Sequence, residues 1–446
     1  MDVKRTQDIV RVDPEEWPKG TPHEKAAEPD LGTKLISSQR YTSHEFARRE
    51  WEHIWTKVWL LGGRSDDMPE PGDHICTDIG KESVLLVRQK DGSSAGFYNV
   101  CLHRGNKLRP EGIGTLEDDP VFRCSYHHWA YNLKGKISHI PDLDTFPQGA
   151  PPCGAIPSVK VAEWGGFVWF SLNPDAEPLE EYLGVIPQHL DPYNFDRMVW
   201  KRDITVEWDC NWKASVDAFI ESYHVQGIHP QLKWYLDDVN IQYDCYDKHS
   251  RYLIPFATVS PRVPLPSTIP PLIAGIMEQA GMDPAEYDGP ITGIRRAVQH
   301  HMRKHGPKIG KDYSQLSDDQ LTDDFHYTVF PNVSMNCHAD DLMMFRQRPH
   351  PTDPNKMFYD IWMFELLAQG EAKPRRPRHQ HFKHGDRSIG QVLDQDAFNL
   401  PHVQNGMKSD AFEGLWLGEQ EVRLRHFHKT IDDYIYGHNG PGDGDI

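Results

Sequence analysis

Two short segments of this chain each offer one thiol and one imidazole. Cys101-Leu102-His103 and Cys124-Ser125-Tyr126-His127 are separated by 20 residues. Four soft-to-borderline donors on two loops have to be weighed as a metal site. A tetrahedral zinc would take two thiolates and two imidazoles, but structural zinc sites usually pair cysteine with cysteine and histidine with histidine. One of each per loop suits a dinuclear iron–sulfur cluster clamped between the loops, with both cysteines on one iron and both histidines on the other. Neutral imidazoles in place of thiolates remove negative charge and raise the cluster potential, toward about −150 to +300 mV from about −400 mV for an all-cysteine ferredoxin. His128 falls outside this spacing and reads as a surface or neighbouring histidine.

A second set follows at Asp217, Glu221, His224 and His229. The pattern KASVDAFIESYHVQ predicts a helix over 213–226, and at about 100° per residue its Asp217, Glu221 and His224 share one face. Gly227 is expected to end that helix, so that the chain turns and His229 comes back toward His224, while Pro230 discourages immediate resumption. Two histidines need one carboxylate to complete a facial set, which leaves positions open on a non-heme iron(II). A His-x₄-His pair alone is a weak signal.

The elements that must hold these residues fall into two patterns. Residues 43–58 read as an amphipathic helix with a capping-box start at Thr42 and Glu45. Beyond it the hydrophobic period becomes two, with strands expected at 83–88, 95–100 and 165–172 and an Asp91-Gly92 hairpin between the first two. From about 180 the chain mixes types, with strands at 325–336, 341–349 and 356–366 and a helix near the C-terminus, an α+β pattern. The apolar, Pro-rich stretch 254–284 is either a lid over a pocket or a packed irregular loop. The stretch 373–384 is basic.

With 38% hydrophobic residues in 446, the chain can bury a large core. A net charge of −18 argues against nucleic acid or an anionic membrane as the main partner. No apolar run of about 18 residues and no leader-like N-terminus is present, and seven scattered cysteines fit reduced thiols. A cytoplasmic protein is expected. Lys107, Arg109, Lys134 and Lys136 follow the two Cys/His loops and are expected to offer basic charge there to an acidic reductant.

CLHRG (Cys101 to Gly105) and CSYHHWAYNLKG (Cys124 to Gly135) resemble the two halves of the Rieske signature, including Trp129 and Tyr131 after the second histidine. Ser125 stands where proline is frequent, His128 where glycine is frequent, and the spacer is longer than usual. NWK…ESYH…H resembles the catalytic segment of Rieske non-heme iron aromatic-ring-hydroxylating oxygenases, α subunit. In that family the third iron ligand lies far downstream. VLDQDAFNLPHVQNG (Val392 to Gly406) resembles that segment and places the ligand at Asp396, with Asp394 as the alternative; spaced i, i+2, the two would point about 200° apart on a helix.

The resemblance implies an α+β fold in which a small antiparallel-β Rieske [2Fe–2S] domain (50–178) is inserted in a catalytic domain (179–446) with a helix-grip-like antiparallel sheet, residues 1–49 packing on the latter. It implies Cys101, His103, Cys124 and His127 on the cluster and His224, His229 and Asp396 on a mononuclear Fe(II). NAD(P)H electrons would arrive through a ferredoxin or flavin reductase, and O₂ would be used to hydroxylate, and specifically cis-dihydroxylate, a hydrophobic aromatic or polycyclic substrate. Monohydroxylation, O-demethylation and a non-catalytic electron carrier are the alternatives, and a homotrimer or an α3β3 assembly is implied. Glu221 stands where aspartate is commoner and would bridge electrons between subunits, while Asp217 is a possible outer neighbour of the iron ligands.

Overall fold

The computed structural model describes residues 22–116 and 120–437. The first 21 residues and the acidic stretch 117–119 of the Cys/His spacer lie outside the described residues. The chain forms two compact units: Arg48–Pro187 with Pro349–Asp353, and a larger unit made of the segments before and after. The smaller unit thus interrupts the larger, with its far boundary at 187 where 178 was expected.

The smaller unit is built on a seven-stranded sheet, in spatial order Leu60–Arg64, Phe167–Ser171, Ser158–Trp164, Ser94–Tyr98, Glu82–Arg88, His74–Ile79 and Gly112–Gly114. Gly92 has φ +84°, the left-handed conformation that the turn at Asp91-Gly92 demands, and the flanking strands pair antiparallel from Val84↔Tyr98 to Arg88↔Ser94. A second, three-stranded sheet (Val121–Arg123, Ala130–Asn132, Ile137–His139) carries the second Cys/His loop between its first two strands. Leu85, Val87, Phe97, Phe122, Trp129 and Tyr131 form one buried cluster with Cys101 and Cys124, so the core of the domain is also the floor of the two loops.

The helix predicted over 43–58 is α-helical over His44–Glu50 and widens to a π turn at Trp51–Trp55. Its cap is Ser43, whose Oγ accepts the Phe46 N–H at 3.2 Å, and not Thr42, whose hydroxyl donates back to the Ser38 carbonyl. Both residues suit an N-cap, so local sequence leaves the choice one residue uncertain.

In the larger unit eight strands form one sheet: Gln242–Cys245, Ser250–Ile254, Asp324–Val329, Val333–Cys337, Asp341–Pro349, Met357–Leu366, Met198–Trp208 and the edge Gln380–Lys383, which pairs parallel to Met198–Trp208. The run 325–336, expected as one strand, is a hairpin, because Pro331 has no N–H to continue a ladder. The stretch 254–284 leaves the sheet at Ile254 and contains a helix at Pro271–Gln279 that buries Ile273 and Met277. The basic stretch 373–384 supplies the edge strand and sets Arg376 and His379 on Asp203, at 2.9 and 3.0 Å.

The sheet interior is not purely apolar. Asp360, fully buried, accepts from Arg346 (2.7 Å), Arg348 (2.8 and 3.0 Å) and Thr205 (2.6 Å), and although burial opposes ionisation, the two guanidinium groups hold its carboxyl far below the usual carboxylate range. Asp360→Ala is expected to cost about 3–5 kcal/mol in chemical denaturation, since it removes the buried carboxylate that two guanidinium groups and Thr205 share. Among the described residues no helix is long and apolar enough to cross a membrane.

Candidate metal centres

In the smaller unit each Cys/His loop is closed by its own backbone. Cys101 N–H donates to the Asn106 carbonyl and Gly105 N–H to Cys101; Cys124 N–H donates to Trp129 and His128 N–H to Cys124. The two cysteines are buried, unbridged thiols, and the rings of His103 and His127 lie 4.4 Å apart between centroids. His103 stacks on Trp129 at 5.0 Å with 6° between planes, which fixes its orientation. Its Nδ1 is buried without a hydrogen-bond partner, a donor atom waiting for an acceptor of its lone pair.

Burial pushes the Cys101 thiol above its ordinary value. Burial acts in the same direction on Cys124, but the backbone N–H groups of Tyr126 and His127 hold it below. The Tyr131 hydroxyl lies 3.3 Å from Cys101 Sγ and accepts the Leu102 N–H, and Asn106 Nδ2 approaches Cys124 Sγ at 3.7 Å. The four residues fit a [2Fe–2S] cluster. Loss of the visible spectrum is expected in Cys101→Ser or His127→Ala, with iron at the other centre retained; a full cluster spectrum in either variant would refute this ligand set.

His128 adopts φ +61°, which explains why glycine suits this position. It is exposed, so His128→Gly is expected to stabilise the domain by about 1 kcal/mol, measured as a rise in midpoint denaturant concentration. The basic charge expected beside the first loop is largely spent within the unit: Lys107 pairs with Asp78 at 2.7 Å, and Arg109 lies over the Phe122 ring and donates to backbone carbonyls.

In the larger unit the helix expected over 213–226 covers only Trp212–Phe219. Asn211 caps it by accepting the Lys213 N–H, and its own N–H donates to Gln404 on the Gln391–Gly406 helix. Phe219 packs on Phe345 and Tyr359 of the sheet, with Tyr359 stacked on Trp208 at 4.3 Å. The break follows from Glu221, whose Oε2 accepts the His224 N–H at 3.2 Å and so opens a new 3-10 turn at Tyr223–Gln226. Gly227 ends this 3-10 turn in a right-handed conformation, its N–H donating to the His224 carbonyl, and the N–H groups of Ile228 and His229 donate in turn to the His224 and Val225 carbonyls.

Asp217, Glu221 and His224 therefore do not share one helical face. Asp217 turns to Tyr41 (2.5 Å) and His428 (3.2 Å), anchoring residues 39–42 and the C-terminal helix, and has no hydrogen bond to either iron-site histidine. Glu221 instead meets His224 directly, Oε1 lying 2.5 Å from Nδ1.

His224, His229 and Asp396 converge, each offering an atom within 4.8 Å of the others. Asp396 Oδ1 is 2.9 Å from His229 Nε2 and 3.9 Å from His224 Nε2, while its Oδ2 is buried and unpartnered. The outer nitrogens decide the tautomers. His224 Nδ1 faces Glu221, and His229 Nδ1 faces Gln395 Oε1 at 2.8 Å, two outer acceptors that favour a proton on each Nδ1 and so leave Nε2 as the atom to bind a cation. Two lone pairs and a carboxylate facing one another call for a cation between them. Burial works against positive charge on His224, yet Glu221 and then Asp396 hold its pKa above the ordinary value. The set fits the iron(II) of a two-histidine, one-carboxylate site with open positions.

Asp394 is engaged elsewhere. Its carboxylate accepts from the Ser388 hydroxyl and the Ile389 N–H at the start of the helix that carries Asp396. Sequence reasoning missed Gln395, Gln231, Tyr41, His428 and Asn106. Gln395 alone had a signal, its place between the two aspartates under consideration.

The family model for the ring hydroxylating alpha subunit (catalytic domain) matches residues 195–437, and that for the Rieske [2Fe-2S] domain matches 58–159. The chain is 32% identical over 388 residues to the chlorobenzene dioxygenase subunit alpha of Cupriavidus sp. (strain PS12), covering 83% of this chain and 80% of that one. It is 28% identical to the carnitine monooxygenase oxygenase subunit of Escherichia coli (strain K12), over 51% of this chain and 59% of that relative's length. The glycine betaine monooxygenase oxygenase subunit of Pseudomonas aeruginosa (strain UCBPP-PA14) is 27% identical, over 43% of this chain and 44% of its own. Among solved structures, the quaternary ammonium Rieske monooxygenase CntA with L-carnitine aligns with a TM-score of 0.64 at 16% identity, covering 94% of this chain and 99% of that one. Naphthalene 1,2-dioxygenase with indole bound gives the same TM-score at 19% identity, covering 94% and 96%. With its cluster loops in one unit and its iron set in the other, this chain belongs to the Rieske-type ring-hydroxylating oxygenase α subunits.

Proposed function

We propose that this chain hydroxylates a hydrophobic aromatic or polycyclic substrate, with cis-dihydroxylation as the reaction. The inward convergence of His224 Nε2, His229 Nε2 and Asp396 on one point supports the oxygenase part of this reading and is shared by mono- and dioxygenation, so the substrate and the reaction type rest on the surroundings of the set and on the relatives. When bound, the cluster passes single electrons and the mononuclear iron activates O₂ for insertion into the substrate. Cys101, His103, Cys124 and His127 hold the first, and His224, His229 and Asp396 the second. Electrons derive from NAD(P)H through a ferredoxin or flavin reductase, in a cytoplasmic trimer or α3β3 assembly.

The substrate class is supported by what packs beside the iron set. Val225, next to His224, belongs to a buried cluster with Leu232, Leu236, Ile241, Tyr252 and Ile254, against which Val392, one helical turn before Asp396, also packs. Such a cluster makes the surroundings of the set predominantly apolar, which suits an apolar substrate. The name of the chlorobenzene dioxygenase relative points the same way.

A second reading, monooxygenation of a quaternary ammonium compound, is favoured by the names of the carnitine and glycine betaine relatives and by tyrosine-rich edges on this cluster. Tyr235 faces Phe256 at 4.9 Å, and Tyr243 faces Tyr252 edge-on at 6.4 Å; aromatic faces attract such cations.

Turnover of a panel of aromatics, polycyclics and quaternary ammonium compounds under ¹⁸O₂ separates the two. A diol with two labelled oxygens is the expected product. One labelled oxygen, or release of an aldehyde from an N- or O-alkyl group, establishes monooxygenation in its place.

A further inference from the structure

We propose that Gln395 is the positioning residue for His229, and that the two iron-site histidines are backed unequally, His224 by a carboxylate and His229 by an amide. The proposal rests on the iron-site reading above. His229 Nδ1 lies 2.8 Å from Gln395 Oε1, and the same oxygen accepts from Gln231 Nε2 at 2.7 Å. Gln231 sits in the 3-10 turn Pro230–Trp234 that follows His229, and Gln395 adjoins Asp396, so the amide pair ties together the two segments that deliver these ligands.

The chemistry follows from the proton. With Oε1 toward the ring, Nδ1 must donate, and Nε2 is left as a lone pair toward Asp396. Without Gln395 the lower-energy arrangement places the proton on Nε2, donated to Asp396 Oδ1 across the 2.9 Å that separates them, and that bond closes the position a cation would take. His224 is protected from this by Glu221, whose charge makes a stronger acceptor than an amide. His229 is therefore the more easily lost of the two imidazole ligands, and three consecutive residues do separate work: Asp394 at the helix start, Gln395 on His229, Asp396 on the metal.

The test uses the full-length protein with its cluster intact and oxidised, stripped of mononuclear iron. Co(II) is titrated in by competition with a chelator and followed by its EPR signal. Gln395→Leu is expected to weaken Co(II) binding about 10–100-fold and broaden the signal, and Gln395→Glu to restore binding with a shifted signal. Wild-type affinity and signal in Gln395→Leu would overturn the proposal, as would a Gln395→Glu variant as weak as the leucine one, which would reduce the residue to packing. His229→Ala in the same titration tests the underlying reading: tight binding there removes the iron-site assignment and this inference with it, whereas loss of binding leaves the assignment standing whatever the Gln395 variants do.

Discussion

Asp396→Ala is expected to empty the mononuclear site while leaving the visible spectrum of the cluster unchanged, so that turnover falls to background. Asp396 is the one anionic member of the converging set, 2.9 Å from one histidine and 3.9 Å from the other, and almost wholly buried. Its removal leaves two neutral imidazoles around a divalent cation. The loss of affinity should exceed the roughly 10–100-fold that changes behind a metal ligand produce. Asp394→Ala is the contrasting variant: it gives up the bonds to Ser388 and Ile389, worth about 1 kcal/mol of helix stability, and keeps the iron. Metal analysis of both proteins, normalised to cluster absorbance, reads the difference. Iron lost from the Asp394 variant and kept in the Asp396 variant would move the ligand by two residues.

That choice illustrates what was legible in the chain. The Cys/His loops were readable because residues close together in sequence, with aromatic neighbours beside them, need little tertiary information; the structure closes the segments from Cys101 and from Cys124 by their own backbone bonds. His224 and His229 were likewise local. The helix between Asp217 and His224 was not, because side chains decided its length. Glu221 competes for the His224 N–H and stops a pattern whose periodicity otherwise runs on to 226. The fate of Asp217 depended on Tyr41 and His428, 176 and 211 residues away, and no window around the site contains them. Of the eight-stranded sheet only the stretch from Asp324 to Leu366 was visible, its first hairpin read as one strand; Met198–Trp208, Gln242–Cys245, Ser250–Ile254 and Gln380–Lys383 were not, nor was the order, which places Met198–Trp208 between Met357–Leu366 and the edge.

Glu221→Gln is expected to keep both metal centres and bind substrate, yet deliver electrons to the iron on the order of 10–100-fold more slowly. The carboxylate Oε1 sits 2.5 Å from His224 Nδ1 and Oε2 accepts the His224 backbone N–H, so both oxygens are committed to one residue, its ring and its main chain, and the side chain is almost entirely buried. A glutamine can keep one of these bonds but loses the charge that makes them strong, and its NH₂ would oppose the other donor. Metal content and substrate affinity report whether the site survives; single-turnover reduction of the iron reports the electron path. We propose that this path crosses between subunits, from the cluster of one chain through Glu221 to the iron of its neighbour. Mixing a Cys101→Ser chain, which lacks the cluster, with a His224→Ala chain, which lacks the iron, then recovers activity after reassembly, because an intact cluster can serve an intact iron on the adjoining subunit. Neither variant recovers activity alone. Inactive mixed assemblies, verified to contain both chains, would place the electron path within one chain and would leave Glu221 as an anchor for the His224 ring, with its glutamine variant then altering iron affinity more than electron transfer.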